Sequence, residues 1–165
     1  MAKIGISGTH GVGKSFYLYE LANKLKLKHP TKEISLVQEI ARKCPFPINQ
    51  IATVESQQWM FFTQITKEIE AEKINDIIVC DRTLIDYAAY TLNQFPELYY
   101  KLEPYLVYHL STYDKIYFKL LKNNNKWLVD DGVRDIDPVF QSKIDSILQE
   151  LYNKHKSHLK NVEII

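Results

Sequence analysis

Apolar residues come in short continuous runs and in sets at helical spacing, and the two patterns alternate along the chain. Lys3–Ser7 form a short apolar run that ends at Gly8 and predicts a strand. Ser15–Lys28 place Phe16, Leu18, Leu21, Ala22 and Leu25 at helical spacing, and His29–Pro30 stop that helix. Ile34–Val37 predict a second strand, and Glu39–Pro47 a loop broken by Pro45 and Pro47. Ile48–Asn75 contain no Gly or Pro and predict one long helix, open to an interruption. Ile77–Cys80 are apolar throughout, as in a strand buried on both faces. Thr83 opens a helix, with Asp86 three residues on in the capping-box arrangement. Pro96–Leu110 predict a shorter helix with a break near Pro104, and Lys115–Leu121 a fourth strand. Lys122–Ile136 form a polar loop, and Asp137–Pro138 start the last long helix with Asp as cap and Pro in the first turn. Val162–Ile165 predict a fifth strand. Strands alternating with helices predict an α/β domain built on a mostly parallel sheet. With 165 residues and neither repeat nor linker, residues 1–165 read as one domain.

Composition narrows the classes. The net charge of +1 gives no bulk positive field of the kind a dedicated nucleic-acid binder carries. Cys44 and Cys80 form no metal-spaced cluster, which argues against a zinc site and a disulfide framework. The first residues lack a signal-peptide core and no apolar run approaches a membrane span, so a cytoplasmic location is expected. Eighteen of the 21 basic residues are Lys; the three Arg are Arg42, Arg82 and Arg134. Arg offers a rigid fork of donors that matches phosphate or carboxylate, so a chain that uses it so rarely invites attention to where it falls.

The strongest chemical signal is Gly8-Thr9-His10-Gly11-Val12-Gly13-Lys14-Ser15, which fits G-x-x-x-x-G-K-[ST] between a predicted strand and a predicted helix. The glycines let the backbone N–H groups turn toward phosphate oxygens, Lys14 reaches the β- and γ-phosphates of ATP, and the Ser15 hydroxyl ligates Mg²⁺. Ile77–Cys80 then end in Asp81, an acid placed to support the same Mg²⁺; Arg82 follows, suited to a transferring or acceptor phosphate. Gln38-Glu39-Ile40-Ala41-Arg42 lie beyond the carboxyl end of the second strand, on the same rim. Glu39 is suited to accept a proton from an attacking hydroxyl, and Arg42 to hold an acceptor phosphate or to orient Glu39. Asp130–Asp135 place Arg134 in a lid segment over about 122–137, with Lys126 as a weaker second cation. Gln57, Gln64 and Glu68 share one helical face: either the amides read a base or carboxamide of the acceptor, or the face is polar and exposed. Trp59, Phe62, Ile65 and Ile69 read as core, Tyr87 and Tyr90 as packing, Asp86 as a helix cap, and His10 as a loop residue within reach of nucleotide.

GTHGVGKS, EIAR followed by CPFP, VCDRT and DDGVRD together resemble the P-loop kinases typified by the nicotinamide riboside kinase domain, a group that also holds small AAA-type ATPases of phages and microbes. The resemblance runs from Lys3 to about Leu151, and the Asp81-Arg82 pair is more distantly similar to deoxynucleoside and thymidylate kinases. It implies a three-layer P-loop NTPase fold, with the strand bearing Gly5 between the third and fourth strands. It also implies ATP and Mg²⁺ at Lys14 and Ser15, metal support by Asp81, Arg134 as the lid arginine, and Glu39 and Arg42 on the acceptor side.

Three functions compete. The first is transfer of phosphate from ATP to a small nucleoside or nucleotide, with Lys14, Arg82 and Arg134 neutralising charge and Glu39 or Asp81 taking the proton. The second is a nucleotide-binding switch; the guanine-specific N/T-K-x-D string is absent, since Asn125-Lys126-Trp127 is followed by Leu128. The third is a 5′-hydroxyl polynucleotide kinase, against which the near-neutral charge argues.

Overall fold

The computed structural model describes residues 1–122, 128–133 and 135–165. Lys126 and Arg134, the two lid cations read from the sequence, lie outside the described residues. The elements run β1 (Ala2–Ser7), α1 (Lys14–Lys28), β2 (Ile34–Val37), α2 (Val54–Ile74), β3 (Ile77–Asp81), α3 (Leu84–Gln94), α4 (Pro96–Leu110), β4 (Lys115–Phe118), α5 (Pro138–Lys154) and β5 (Val162–Ile164). The five strands form one parallel sheet in the order β2-β3-β1-β4-β5, so the strand bearing Gly5 does lie between the third and fourth.

Alternation along the strands assigns the two faces. Ile6 and Val79 point to the side covered by α1, where they pack with Leu18, Leu21 and Leu25. Ile78, Cys80, Ile116 and Phe118 point the other way, into the larger core built with α2, α3, α4 and α5. Helices therefore cover both faces, which accounts for the apolar run of β3. Among the described residues no helix is long and apolar enough to cross a membrane.

Three elements depart from the sequence reading for local reasons. The long helix expected over Ile48–Asn75 is a 3₁₀ turn at Asn49–Ile51 followed by α2. Thr53 and Ser56 cap each other's backbone N–H groups, and this fixes the start of α2 at Val54. The break expected near Pro104 is absent, because Pro104 lies on the exposed side of α4, where water can satisfy the carbonyl its missing N–H would have bonded. β4 ends at Phe118 rather than Leu121: its partner β1 turns off into the loop after Ser7, and the Leu121 N–H donates to Asp145 instead.

The face of α2 is also inverted from expectation. Gln57, Gln64 and Glu68 are buried, while Phe62 is 42% and Ile69 58% exposed and Trp59 and Ile65 only border the core. The reason is an ion cluster on the inner side of the sheet. Lys3 projects from β1 to the Glu68 carboxylate at 3.1 Å and to Glu72 at 3.2 Å. Buried charge demands such partners.

Close packing at the centre of the sheet makes Gly5 a sensitive position. A Cβ there would lie 2.3 Å from Cγ2 of Thr83, which is fully buried at the start of α3. Gly5→Ala is expected to destabilise the protein by about 1–3 kcal/mol through overpacking. Adding Thr83→Ser, which deletes Cγ2 and keeps the hydroxyl, should recover most of that loss in urea unfolding. Equal stability of Gly5→Ala and wild type would contradict the packing described.

Candidate active site

The carboxyl ends of β1, β2 and β3 carry the chemistry forward. After β1 the chain turns at Gly8, with φ +145°, and passes so close to β4 that a Cβ on Gly8 would lie 2.5 Å from the Lys119 carbonyl oxygen. The loop is held from two helices, α3 and α5. Asp86 accepts the Gly8 N–H at 2.9 Å, Thr9 donates its hydroxyl to the Gln141 carbonyl at 3.1 Å, and the Gln141 amide donates to the His10 carbonyl at 2.6 Å. Val12 is buried and turns its side chain away from solvent. α1 then begins at Lys14, behind Gly13 in the left-handed conformation. Among the described residues no side chain caps this helix, and its first turn carries no acid, so its first N–H groups and positive end are left open to an anion. α2 and α3, by contrast, open on capping boxes. Such an uncapped start after a glycine loop is the arrangement that receives phosphate.

Lys14 is buried and donates Nζ to the Thr9 carbonyl at 2.7 Å. Burial and the nearby Arg82 lower its pKa to about 8. Ser15 donates its hydroxyl to Asp81 at 2.7 Å. Burial raises the Asp81 carboxyl above its ordinary value, outweighing the attraction of Lys14 and the Ser15 hydrogen bond. A hydroxyl and a carboxylate in contact form a hard oxygen pair, and they fit Mg²⁺, which binds through one or two protein oxygens plus phosphates and waters.

The second half of the site is a narrow cleft beside the loop, lined among others by Glu39, Arg42, Gln57, Arg82, Tyr87 and Tyr90. Arg82 is its centre. It is buried, has a left-handed backbone at φ 83°, and donates Nε to Glu39 at 2.7 Å. Its Nη1 has no hydrogen-bond partner among the described residues, and its guanidinium lies 5.4 Å from the Tyr90 ring centre. Glu39 also accepts from Arg42 Nε at 3.1 Å, and Arg42 continues to Asp131. Burial alone pushes the Glu39 carboxyl up, but Arg82, Lys14 and Arg42 outweigh it and hold the group at about 2. Arg82 in turn stays charged, Glu39 outweighing the cost of its burial. Residues 128–133 lie over this half: Leu128 packs on Gly11 and the Val133 carbonyl accepts from Asn49 at 2.7 Å.

Lys14, Ser15, Asp81, Arg82, Glu39, Arg42 and Gln57 are thus brought to one rim. Gln64 is not. It lies behind the cleft, bonded to Glu68 at 2.7 Å and to the Arg82 carbonyl at 3.4 Å, and it cannot read an acceptor there. Tyr87 and Tyr90 are buried in the core, as read, and also line the cleft; Tyr87 accepts the Ile40 N–H and Tyr90 bonds His10 at 2.8 Å. Asp86 is more than a cap. It bonds Thr83 N–H and hydroxyl through one oxygen, both at 2.8 Å, and the glycine loop through the other.

The chain belongs to the AAA domain family, whose model matches residues 3–164. Its fold is similar to that of deoxyadenosine kinase from M. mycoides with bound dATP, at TM-score 0.71 and 16% identity over 100% of this chain and 90% of that one. Thymidylate kinase from Ehrlichia chaffeensis is similar at TM-score 0.67 and 17% identity, over 99% and 91% of the two chains. The NadR protein in complex with NAD and AMP-PNP is similar at TM-score 0.69 and 17% identity, over 99% of this chain but only 44% of that one. A comparison with curated protein sequences finds no match. At these identities the likeness to the solved structures is one of fold.

The Glu39 carboxyl gives a pH signature. Its pKa in the folded state is below the unfolded value, so its stabilisation is present above about pH 4.5 and is lost as pH falls toward 2. The stability difference between wild type and Glu39→Gln should therefore be largest above pH 5 and shrink by about 2 kcal/mol between pH 5 and pH 3. Chemical denaturation at both pH values measures it; a difference that does not change with pH would contradict the pairing of Glu39 with Arg82.

Proposed function

We propose that this protein is an ATP- and Mg²⁺-dependent phosphotransferase whose acceptor is a small nucleoside or nucleotide. The observation that carries the reading is the cleft beside the glycine loop, into which a paired carboxylate and guanidinium, Glu39 and Arg82, both face. A nucleotide switch has no use for an ionised carboxylate in a second cleft next to its phosphates. A transferase requires an acceptor site in that place.

Roles follow from position. The loop N–H groups, the start of α1 and Lys14 bind the triphosphate of ATP. Ser15 and Asp81 would hold Mg²⁺, which would supply positive charge against the phosphates. In the transfer, the acceptor hydroxyl oxygen bonds to the γ-phosphorus and the bond to the β,γ-bridging oxygen breaks, leaving ADP. The hydroxyl proton goes to Glu39 and on to solvent. Asp81 sits against Ser15 on the metal side, whereas Glu39 lines the acceptor cleft, and this placement favours Glu39 over Asp81 for this part. A carboxylate held at about 2 is a weak base, so Glu39 serves first to orient the hydroxyl, and it takes the proton late in the loose transition state. Nη1 of Arg82, 3.9 Å from Asp86 and without a hydrogen bond among the described residues, meets the phosphoryl oxygens in flight. Arg134, read from the sequence as the lid arginine, would add positive charge. Tyr87, Met60 and Ile48 give the cleft apolar walls and Gln57 a polar end, a lining suited to a flat heterocycle with an amide-like edge.

Release of ADP from ATP and Mg²⁺ across a panel of acceptors tests the reading. The panel holds nicotinamide riboside, the common nucleosides, deoxynucleosides and their monophosphates, and a 5′-hydroxyl oligonucleotide. Acceptor-dependent release is expected, reduced at least 100-fold in Lys14→Ala and in Glu39→Gln with the fold intact. Release that is indifferent to acceptor and unchanged in Glu39→Gln would overturn it in favour of an ATPase or switch. Release that depends only on the oligonucleotide would make the acceptor a polynucleotide.

A further inference from the structure

Glu68 lies at the centre of the large core with no solvent exposure, yet it is fully bonded. Its Oε1 accepts from the Tyr113 hydroxyl at 2.6 Å and the Gln64 amide at 2.7 Å. Its Oε2 accepts from Lys3 at 3.1 Å and lies 2.7 Å from His109 Nε2. Two of these four groups continue to the turn after β3. The Gln64 amide also reaches the Arg82 carbonyl oxygen at 3.4 Å, and the Tyr113 oxygen accepts the Leu84 N–H at 3.2 Å.

The directions of these bonds are fixed. Tyr113 has one proton, which it gives to Glu68, so toward Leu84 it can only accept. Both neighbours of the Gln64 nitrogen are acceptors, so the amide cannot be reversed. Its Oε1 has no partner among the described residues, a cost that only its two donors can justify. The turn these bonds clamp holds Arg82 in the left-handed conformation that a side chain bearing Cβ rarely adopts. Such a residue persists only where its surroundings over-determine it. Stability alone is a poor reason for the cluster, since apolar residues of similar volume commonly serve a core as well as buried ions do.

We infer that Glu68, acting through Gln64 and Tyr113, is a positioning residue for Arg82: it fixes the backbone on either side of the turn so that the guanidinium meets Glu39 and the cleft. The catalytic part of this inference rests on the phosphotransfer reading, while the positioning part does not. Replacing Glu68 itself unpairs four buried groups at once, leaving Lys3 only Glu72, and threatens the fold, so the informative variants are Gln64→Leu and Tyr113→Phe. Each removes one relay and leaves Glu68 three partners.

Two readouts separate positioning from mere structure. The chain has three arginines, so an ¹⁵N spectrum holds at most three Nε–H signals, and Arg82→Lys identifies the one from Arg82. Hydrogen exchange at that signal should speed up about tenfold or more in either variant, with the melting temperature moving by less than about 5 °C. With an acceptor in hand, Gln64→Leu should lower kcat about tenfold when Arg82 is present and less than twofold in the Arg82→Lys background. Unchanged exchange, or an equal loss of kcat in both backgrounds, would overturn the inference. Faster exchange in a protein that phosphorylates no acceptor would leave positioning intact and sink the phosphotransfer reading instead.

Discussion

A guanidinium buried at the end of a central strand must be paired, and this requirement organises the site. Arg82 leaves β3 with a left-handed backbone and meets Glu39, which comes from the loop after β2. The pair joins two neighbouring strand ends across their carboxyl rim. Arg42 extends it to Asp131 and so draws residues 128–133 over the cleft. In a low-dielectric setting such a pair is costly to break from one side and gives little net stability when intact. Its value lies in geometry. Glu39 stays ionised and aimed, and Nη1 of Arg82 is left without a hydrogen bond among the described residues.

A second carboxylate does comparable work for the nucleotide half. Asp86 caps α3 and also accepts the first N–H of the glycine loop, so the loop and the Arg82 turn are held by the two oxygens of one side chain. Displacing α3 would therefore disturb the phosphate loop and the acceptor cleft together. On the far side of the turn the Glu68 cluster meets the same backbone through Gln64 and Tyr113. Arg82 between β3 and α3, with Leu84 at the first turn of α3, is thus bonded to β1, α2 and the segment after α4, and the rim is rigid where the chemistry requires it.

Much of this was legible in the sequence because local rules and tertiary needs agree. The glycine loop, the cap at Thr83 and Asp86, the cap at Asp137 and the apolar β3 each carry their own signal, and the structure places them as read. The scarcity of arginine pointed to Arg42 and Arg82, and both meet Glu39. The polar face of α2 misled for a physical reason. Periodicity tells which residues share a face, but not whether that face is buried, and here a distant Lys3 makes burial of Glu68 tolerable. Tyr87 and Tyr90 pack in the core as aromatic residues at helical spacing commonly do, and their second part as cleft walls carried no sequence signal of its own. Only the rim position of α3 turns them toward a cleft.

The most direct test of this account is the structure of a complex with Mg²⁺, AMP-PNP and whichever acceptor supports ADP release. The account predicts the triphosphate on the glycine loop, the γ-phosphate between Lys14 and Arg82, and the acceptor hydroxyl hydrogen-bonded to the Glu39 carboxylate. An acceptor bound elsewhere, with Glu39 still closed between Arg42 and Arg82 and out of reach of the γ-phosphate, would contradict it.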